Sequence, residues 1–430
     1  MAPFRGEYRG FAAPQNFARL LEPIPKKVQQ EVADLYRFDW HARKVHFQPY
    51  FRAWVLALLT RVGGLRDWQA EVSGDVLYQA LGAHLDVSVG GLSQANAQRP
   101  DEPFEELLEG VLKWLGRRAR RDPLLSLWTE EISPTLAALL EQATIFDSTT
   151  FSLPSTAAAW AHYSSTQAGV RLHVRLGAGG TVLDRLIMTT AKAHDGRFFK
   201  DFLDLGESPG QVYLFDAGYT DLLTFDEIVD AGDHFVTTLS GTVSYEIVSQ
   251  CTPPEGVLPC GYTVQADLIV RLGSPKEYQT QHLFRLLLAT DTQGQAVKIL
   301  SDMLEATCDE LCSLHKFRWQ VEIFFRWLKQ LLGLKRLFSY TPGGIHKQIY
   351  VALILYALLL VYHQSVHPSV GWLTDLLRQV RAELHADLYA AGYAQGAADV
   401  WTLLGDLSPP LALLMAWWWL LAFVEGTRQK

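Results

Sequence analysis

The chain has 430 residues, 49% of them hydrophobic and 20% charged, with a net charge of −8. That balance excludes a disordered chain and gives room for two to four units with cores of their own. The acidic total excludes a protein that coats nucleic acid with its whole surface.

Residues 1 to about 130 read as helical. FRAWVLALLTRV (51–62) is one apolar helix; GGLRDWQAEV, VLYQALGAHL and the polar GLSQANAQR (91–99) follow, the last stopped by Pro100. Short helices joined by glycine turns are compatible with a helix-turn-helix DNA reader. KWLGRRARR (113–121) holds five bases and no acid, and reads as a solvated helix face. From about residue 143 strands take over. ATIFDSTTF reaches Asp147, VRLHVRL (170–176) alternates, GAGG turns, and TVLDRLIMTT (181–190) returns. GRFFKDFLDLG is expected to be a helix, QVYLF (211–215) a strand ending at Asp216, TDLLTFDEIVD a helix, and HFVTTLS (234–240) a strand. A three-strand meander followed by helix, strand, helix, strand is the order of a ribonuclease H-like α/β domain.

The expected layout is a helical N-terminal DNA-binding domain (1–135), the first part of a ribonuclease H-like core with a mixed sheet (136–240), and a β-rich insertion (241–305). The second part of the core (306–370) and a helical C-terminal region (371–430) complete it. The apolar runs 349–362 and 411–424 are shorter than the roughly 20 residues a bilayer span needs, and MAPFRGEYRG lacks a signal peptide's apolar run. The expectation is a cytoplasmic chain with no membrane partner. Trp417 to Trp419 read as core or subunit interface. Cys251, Cys260, Cys308 and Cys312 match no usual zinc spacing and read as free thiols.

Between residues 316 and 347 stand seven bases and a single acid, Glu322. On one continuous helix over 315–330, Phe317, Val321, Phe324, Phe325 and Leu328 form an apolar stripe, while Arg318, Glu322, Arg326 and Lys329 share a second one. Trp319 and Trp327 fall outside the apolar stripe. Asp147 and Asp216 each end an apolar strand. Adjacent parallel strands bring such ends together, and paired carboxylates either raise a pKa or collect divalent cations. With Glu322 as a third ligand the set suits two metal ions and phosphodiester chemistry, and the bases around Glu322 suit phosphates.

IFDSTTFSLP, LFDAGYTDL and FRWQVEIFFRWLKQLLGLKR resemble the three catalytic segments of bacterial DDE transposases of the insertion-sequence-four family, over about residues 140–365. Arg318, Glu322 and Lys329 match the spacing of that family's Tyr-Arg-Glu-Lys signature, whose tyrosine position is His315 here. The resemblance implies Asp147, Asp216 and Glu322 as catalytic metal ligands for two Mg2+ ions, with Mn2+ substituting. It implies cut-and-paste transposition of an insertion sequence by hydrolysis and strand transfer. The implied partners are double-stranded DNA, as transposon ends and target, and a second copy of the chain on DNA. In the bacterial cell the chain would join the nucleoid when acting.

His315, Arg318, Arg326, Lys329, Lys335 and Arg336 are the expected DNA contacts, with His315 expected to titrate near neutral pH. Relatives often carry arginine near Thr237 and Thr238. The insertion has no tryptophan, so Tyr245, Tyr262 and Tyr278 are the candidates for stacking a flipped base. His194 and Asp195 are candidates for active-site support. Rival readings are a catalytically inactive or domesticated DNA-binding relative and a host nuclease on the same fold.

Overall fold

The computed structural model describes residues 15–383, apart from 75–77, 80, 120–132, 178–181, 332, 333, 335, 367–376 and 379. The GAGG turn, the end of the 113–121 run, Lys335, the 411–424 stretch and Trp417 to Trp419 therefore lie wholly or largely outside the described residues. The chain divides into two compact units, residues 1–95 with 369–430, and residues 96–368.

The first unit is helical: α1 (Gln15–Leu20), α2 (Lys26–Leu35), α3 (Phe47–Thr60), α4 (Leu65–Gly74) and most of α5 (Val89–Gln98). Ten of the fourteen residues of α3 are buried. Trp54 of α3 packs on Trp68 of α4 with ring centroids 4.4 Å apart. α3 stops where Arg61 turns left-handed (φ 57°).

The second unit opens with α6 (Glu102–Ala119) and α7 (Pro134–Glu141). Ser133 caps α7 by accepting from the Leu136 N–H, with Pro134 at the first helical position. Next come strands β1 (Ala143–Leu153), β2 (Ala168–Gly177), β3 (Val182–Thr190), β4 (Val212–Phe215), helix α8 (Leu222–Asp230) and β5 (His234–Thr238). The β-rich stretch is β6 (Tyr245–Cys251), β7 (Thr263–Leu272), β8 (Phe284–Thr290) and β9 (Ala296–Ser301). All nine form one mixed sheet in the order β3-β2-β1-β4-β5-β9-β8-β7-β6. β1, β4 and β5 run parallel. These four strands extend the sheet through β9, which pairs antiparallel with β5.

One sheet face rests on an aromatic core of Phe146, Phe199, Phe202, Tyr213, Phe215, Tyr219, Phe225, Phe235 and Phe284. This core explains a departure from expectation. GRFFKDFLDLG forms two 3₁₀ turns, Asp195–Phe198 and Lys200–Phe202, rather than an α-helix. Three residues per turn eclipse positions i and i+3, which puts both Phe199 and Phe202 into the core.

The chain then returns through α9 (Cys308–Phe317), α10 (Gln320–Leu331) and α11 (Pro342–Val366). Thr307 and Glu310 form a capping box at the start of α9. α11 is apolar and long enough to cross a membrane, yet 94% of its most apolar window is buried inside the protein. It packs against α6 and α10.

The single helix expected over 315–330 is two. The N–H groups of Trp319, Val321 and Glu322 bond three residues back, to Lys316, Arg318 and Trp319. That tighter turn breaks the 100° phase between Arg318 and α10. Trp327 is buried edge-on to Tyr356 of α11, 5.3 Å away. α10 thus hides two sides, one toward β1 and one toward α11.

Candidate active site

Asp147 lies within β1 rather than at its end, because β1 continues along β2 to Leu153. It is two residues beyond the last pair that β1 makes with β4, Ile145 with Leu214. Continued by two positions, that parallel register sets Asp147 opposite Asp216. The stacking of Phe146 on Phe215, at 5.1 Å, follows the same register one position earlier. Neighbouring strands are about 4.8 Å apart, so the two acids share one level of the sheet.

Asp147 is only 7% exposed. Burial, then the charge of Asp216, pushes its carboxyl up to about 7; the Ser148 N–H and Arg318 oppose that rise, and Glu322 adds to it. The Ser148 N–H donates to Asp147 Oδ1 at 2.7 Å. Asp216 accepts from the Gly218 N–H at 2.8 Å, in the short turn that ends β4.

α10 brings Glu322 toward this pair. Lys329 Nζ donates to Thr149 Oγ1 and lies 5.4 Å over the Phe151 ring. Thr149 and Phe151 share the Asp147 face of β1 by alternation. Glu322 is seven residues before Lys329, nearly two full turns, and so on the same side of α10. Among the described residues, however, no three carboxylate, histidine or cysteine groups are close enough to hold one metal ion. The donors fit a hard divalent cation in kind, as paired carboxylates at one level. Glu322 reaches Asp147 electrostatically as the smallest of the influences on its carboxyl.

Arg318 is half-buried beside these acids, and its Nε has no hydrogen-bond partner among the described residues. Arg326 and Arg336 are exposed. Lys347, counted by sequence in the basic run, is fully buried; its Nζ donates to the carbonyls of Asn96 (3.0 Å) and Arg99. Burial pushes its pKa down to about 8. It ties the end of α5 to α11 and presents no charge to a ligand.

His315 is held on both nitrogens, by Thr238 Oγ1 at 3.1 Å and the Tyr262 hydroxyl at 3.2 Å. Titration near neutrality is not what this site gives: burial, aided by Arg318, moves its pKa down to about 4. Tyr262 is 5% exposed and offers no open ring face. Tyr278 is half-buried and donates to Asp226 at 2.8 Å. Tyr245 is half-buried, with Lys298 5.9 Å from its ring.

His194 is exposed. Asp195 accepts from Ser148 Oγ (2.6 Å) and Arg171 (3.1 Å) and lies 3.4 Å from His173 Nδ1. Ser148 follows Asp147 and faces the other side of β1. Tyr219, three residues after Asp216, has a buried hydroxyl with no partner among the described residues, and burial together with Asp195, Asp147 and Asp216 raises its pKa. Sequence reasoning missed Ser148, Arg171, His173 and Tyr219. The signal for two of them was Arg171, His173 and Arg175 recurring at every second position of an apolar strand.

Burial moves the pKa of His173 down to about 4 despite Asp195. The unfolded chain therefore takes up a proton near pH 6.5 that the folded chain refuses until about 4. Stability is full above 6.5 and falls between those values, by about 3 kcal/mol for this group. A His173→Gln variant should lose that part of the acid slope in denaturant titrations; an unchanged slope would mean that His173 is charged in the fold.

The family profile described as "Transposase DDE domain" matches residues 139–358. A probable transposase for insertion sequence element IS5377 from Geobacillus stearothermophilus is 26% identical over 215 residues, 50% of this chain. The match spans 55% of that relative's length, about half. A putative transposase, y4zB, from Sinorhizobium fredii (strain NBRC 101917 / NGR234) is 27% identical over 270 residues, 62% of this chain and 69% of that protein. Among solved structures, the piggyBac transposase synaptic complex with hairpin DNA aligns with 88% of this chain and 81% of its own, at TM-score 0.44 and 9% identity.

Proposed function

The chain belongs to the transposase DDE domain family, and from that premise we propose that it is a DNA transposase that cuts and joins DNA at the ends of an insertion sequence. The observation that carries this reading is the β1–β4 register, which sets Asp147 beside Asp216 within electrostatic reach of Glu322. We read the sheet as a ribonuclease H-like core with the 241–305 stretch as its insertion, and the chain as an insertion-sequence-four relative working as a dimer on DNA.

DDE transposase domains are metal-dependent. Asp147, Asp216 and Glu322 would hold two Mg2+ ions, or Mn2+ in their place. When bound, such ions supply the positive charge that a phosphodiester needs as its attacking and leaving oxygens become negative. Asp147, within β1, and Asp216, in the turn that ends β4, form the floor of the site. The charge of Asp216 works against ionisation of Asp147, and a cation held between the two carboxylates would relieve that repulsion. Glu322 completes the set when α10 moves closer to β1. Arg318, next to Asp147, neutralises phosphate charge at the reacting position. Arg326, Lys329, Lys335 and Arg336 hold the flanking backbone.

Cleavage of a duplex carrying the element's own terminal sequence, with Mg2+ or Mn2+, tests this reading. Divalent-dependent nicking at the end supports it. The separation of Glu322 from the aspartate pair favours one second reading, a DNA-binding relative without catalysis, and binding without any nicking would establish that instead. Replacing exposed Arg326 with Ala should weaken end binding and reduce the salt slope by about one phosphate contact. An unchanged slope in salt-titrated binding would remove Arg326 from the interface.

A further inference from the structure

Two of the four thiols meet at a place the proposed chemistry does not use. The turn Leu258–Tyr262, closed by the Leu258 N–H on the Tyr262 carbonyl and the Gly261 N–H on that of Leu258, lies across α9. The Cys260 N–H donates to Asp309 Oδ1 at 3.0 Å, and Lys316 Nζ donates to the Cys260 carbonyl at 3.3 Å. Asp309, Cys312 and Lys316 recur at i, i+3 and i+7 along one face of α9. Cys260 is therefore strapped over the turn that carries Cys312. Two residues on, Tyr262 holds His315, one turn beyond Cys312.

We propose that Cys260 and Cys312 are a dithiol that closes to a disulfide, a modification site joining the β-rich stretch to the helix that leads to Glu322. Cys260 is half-buried and Cys312 fully buried, which divides the roles. The Cys260 thiolate reaches the oxidant and Cys312 resolves the product. The neighbourhood of the two thiols lowers the pKa of Cys260 and, with burial, raises that of Cys312, which favours Cys260 as the nucleophile.

With a hydroperoxide, Cys260 sulfur attacks the peroxide oxygen, the O–O bond breaks and an alcohol leaves. The resulting sulfenic acid then condenses with the Cys312 thiol, forming the S–S bond and releasing water. With a small disulfide, Cys260 forms a mixed disulfide and Cys312 displaces the second thiol. The remaining cysteines are placed differently. Cys308 is buried against Arg285 at 3.4 Å and Asp267 at 3.5 Å, and Cys251 is exposed at the end of edge strand β6.

Closure would fix α9, and through the turn at Arg318 and Trp319 the position of α10. Oxidation is therefore expected to slow the approach of Glu322 to the aspartate pair; this consequence rests on the proposed function, whereas formation of the bond does not. The test treats the full chain with the thiol oxidant diamide, blocks remaining thiols with iodoacetamide, and maps linked peptides by mass spectrometry without reductant. The expected result is a Cys260–Cys312 peptide, reversed by dithiothreitol, and a rise of several degrees in Tm. Cys260→Ser should abolish the linkage and Cys251→Ser should leave it. Alkylation of all four cysteines after diamide, or linkage only through Cys251, would overturn the proposal. A linkage that forms in a chain that never nicks DNA would overturn the functional reading and leave the thiol site standing.

Discussion

Asp147→Asn should make the protein more stable at pH 8 while abolishing the DNA cleavage proposed for it. The carboxyl of Asp147 moves from 3.8 to about 7 on folding, so the folded chain holds a proton that the unfolded chain has already released. The sign follows directly. The favourable contribution is complete below pH 3.8 and is lost as pH rises through 7, so at pH 8 the wild type bears the full penalty of a buried charge. An amide of the same shape bears none. The difference is on the order of 4 kcal/mol at most, and it should shrink to nothing near pH 4. Denaturant midpoints at pH 8 and pH 4 measure it. A variant less stable than wild type at pH 8 would mean that Asp147 is solvated or paired in the fold. Saturating Mn2+ should narrow the gap, since a bound cation stabilises the wild type alone.

Glu322→Gln is expected to lower end cleavage on the order of 10³-fold or more, the scale of losing one group that stabilises developing charge. End binding should stay within a few-fold. Among the described residues Glu322 makes no side-chain hydrogen bond, and α10 is anchored by Lys329 on Thr149 and by Phe324 and Trp327 on Tyr356. The variant should therefore fold normally. Wild-type nicking by Glu322→Gln would remove this residue from the reacting centre. Loss of binding together with loss of nicking would assign it a structural part in holding α10.

The strands around the acids were legible because each opens on a short apolar run, though β1 continues past Asp147 to Leu153. Asp147 and Asp216 could be picked out for the same reason. Their alignment was not legible: it depends on a parallel register that pairs Ala143 with Val212, and nothing local in either strand encodes that pairing. The break at Arg318 and Trp319 was hidden because no glycine or proline marks it, so periodicity alone runs the two helices together. The burial of Lys347 was hidden too, since a lysine in a run of bases reads as surface until the carbonyls at the end of α5 are seen beneath it. His315 and Tyr262 were read as groups facing a ligand. Their mutual hydrogen bond arises from the packing of the 258–262 turn on α9, a contact between segments 53 residues apart.

Transposase chemistry at this site requires that Asp147 and Asp216 hold a divalent cation at the centre of the sheet. An anomalous-difference map at the manganese edge, from crystals of the full chain soaked in Mn2+ with and without end DNA, measures this. The prediction is manganese on Asp147 and Asp216, with Glu322 joining the ion when DNA is present. Absence of manganese from the aspartate pair in both crystals would contradict the account.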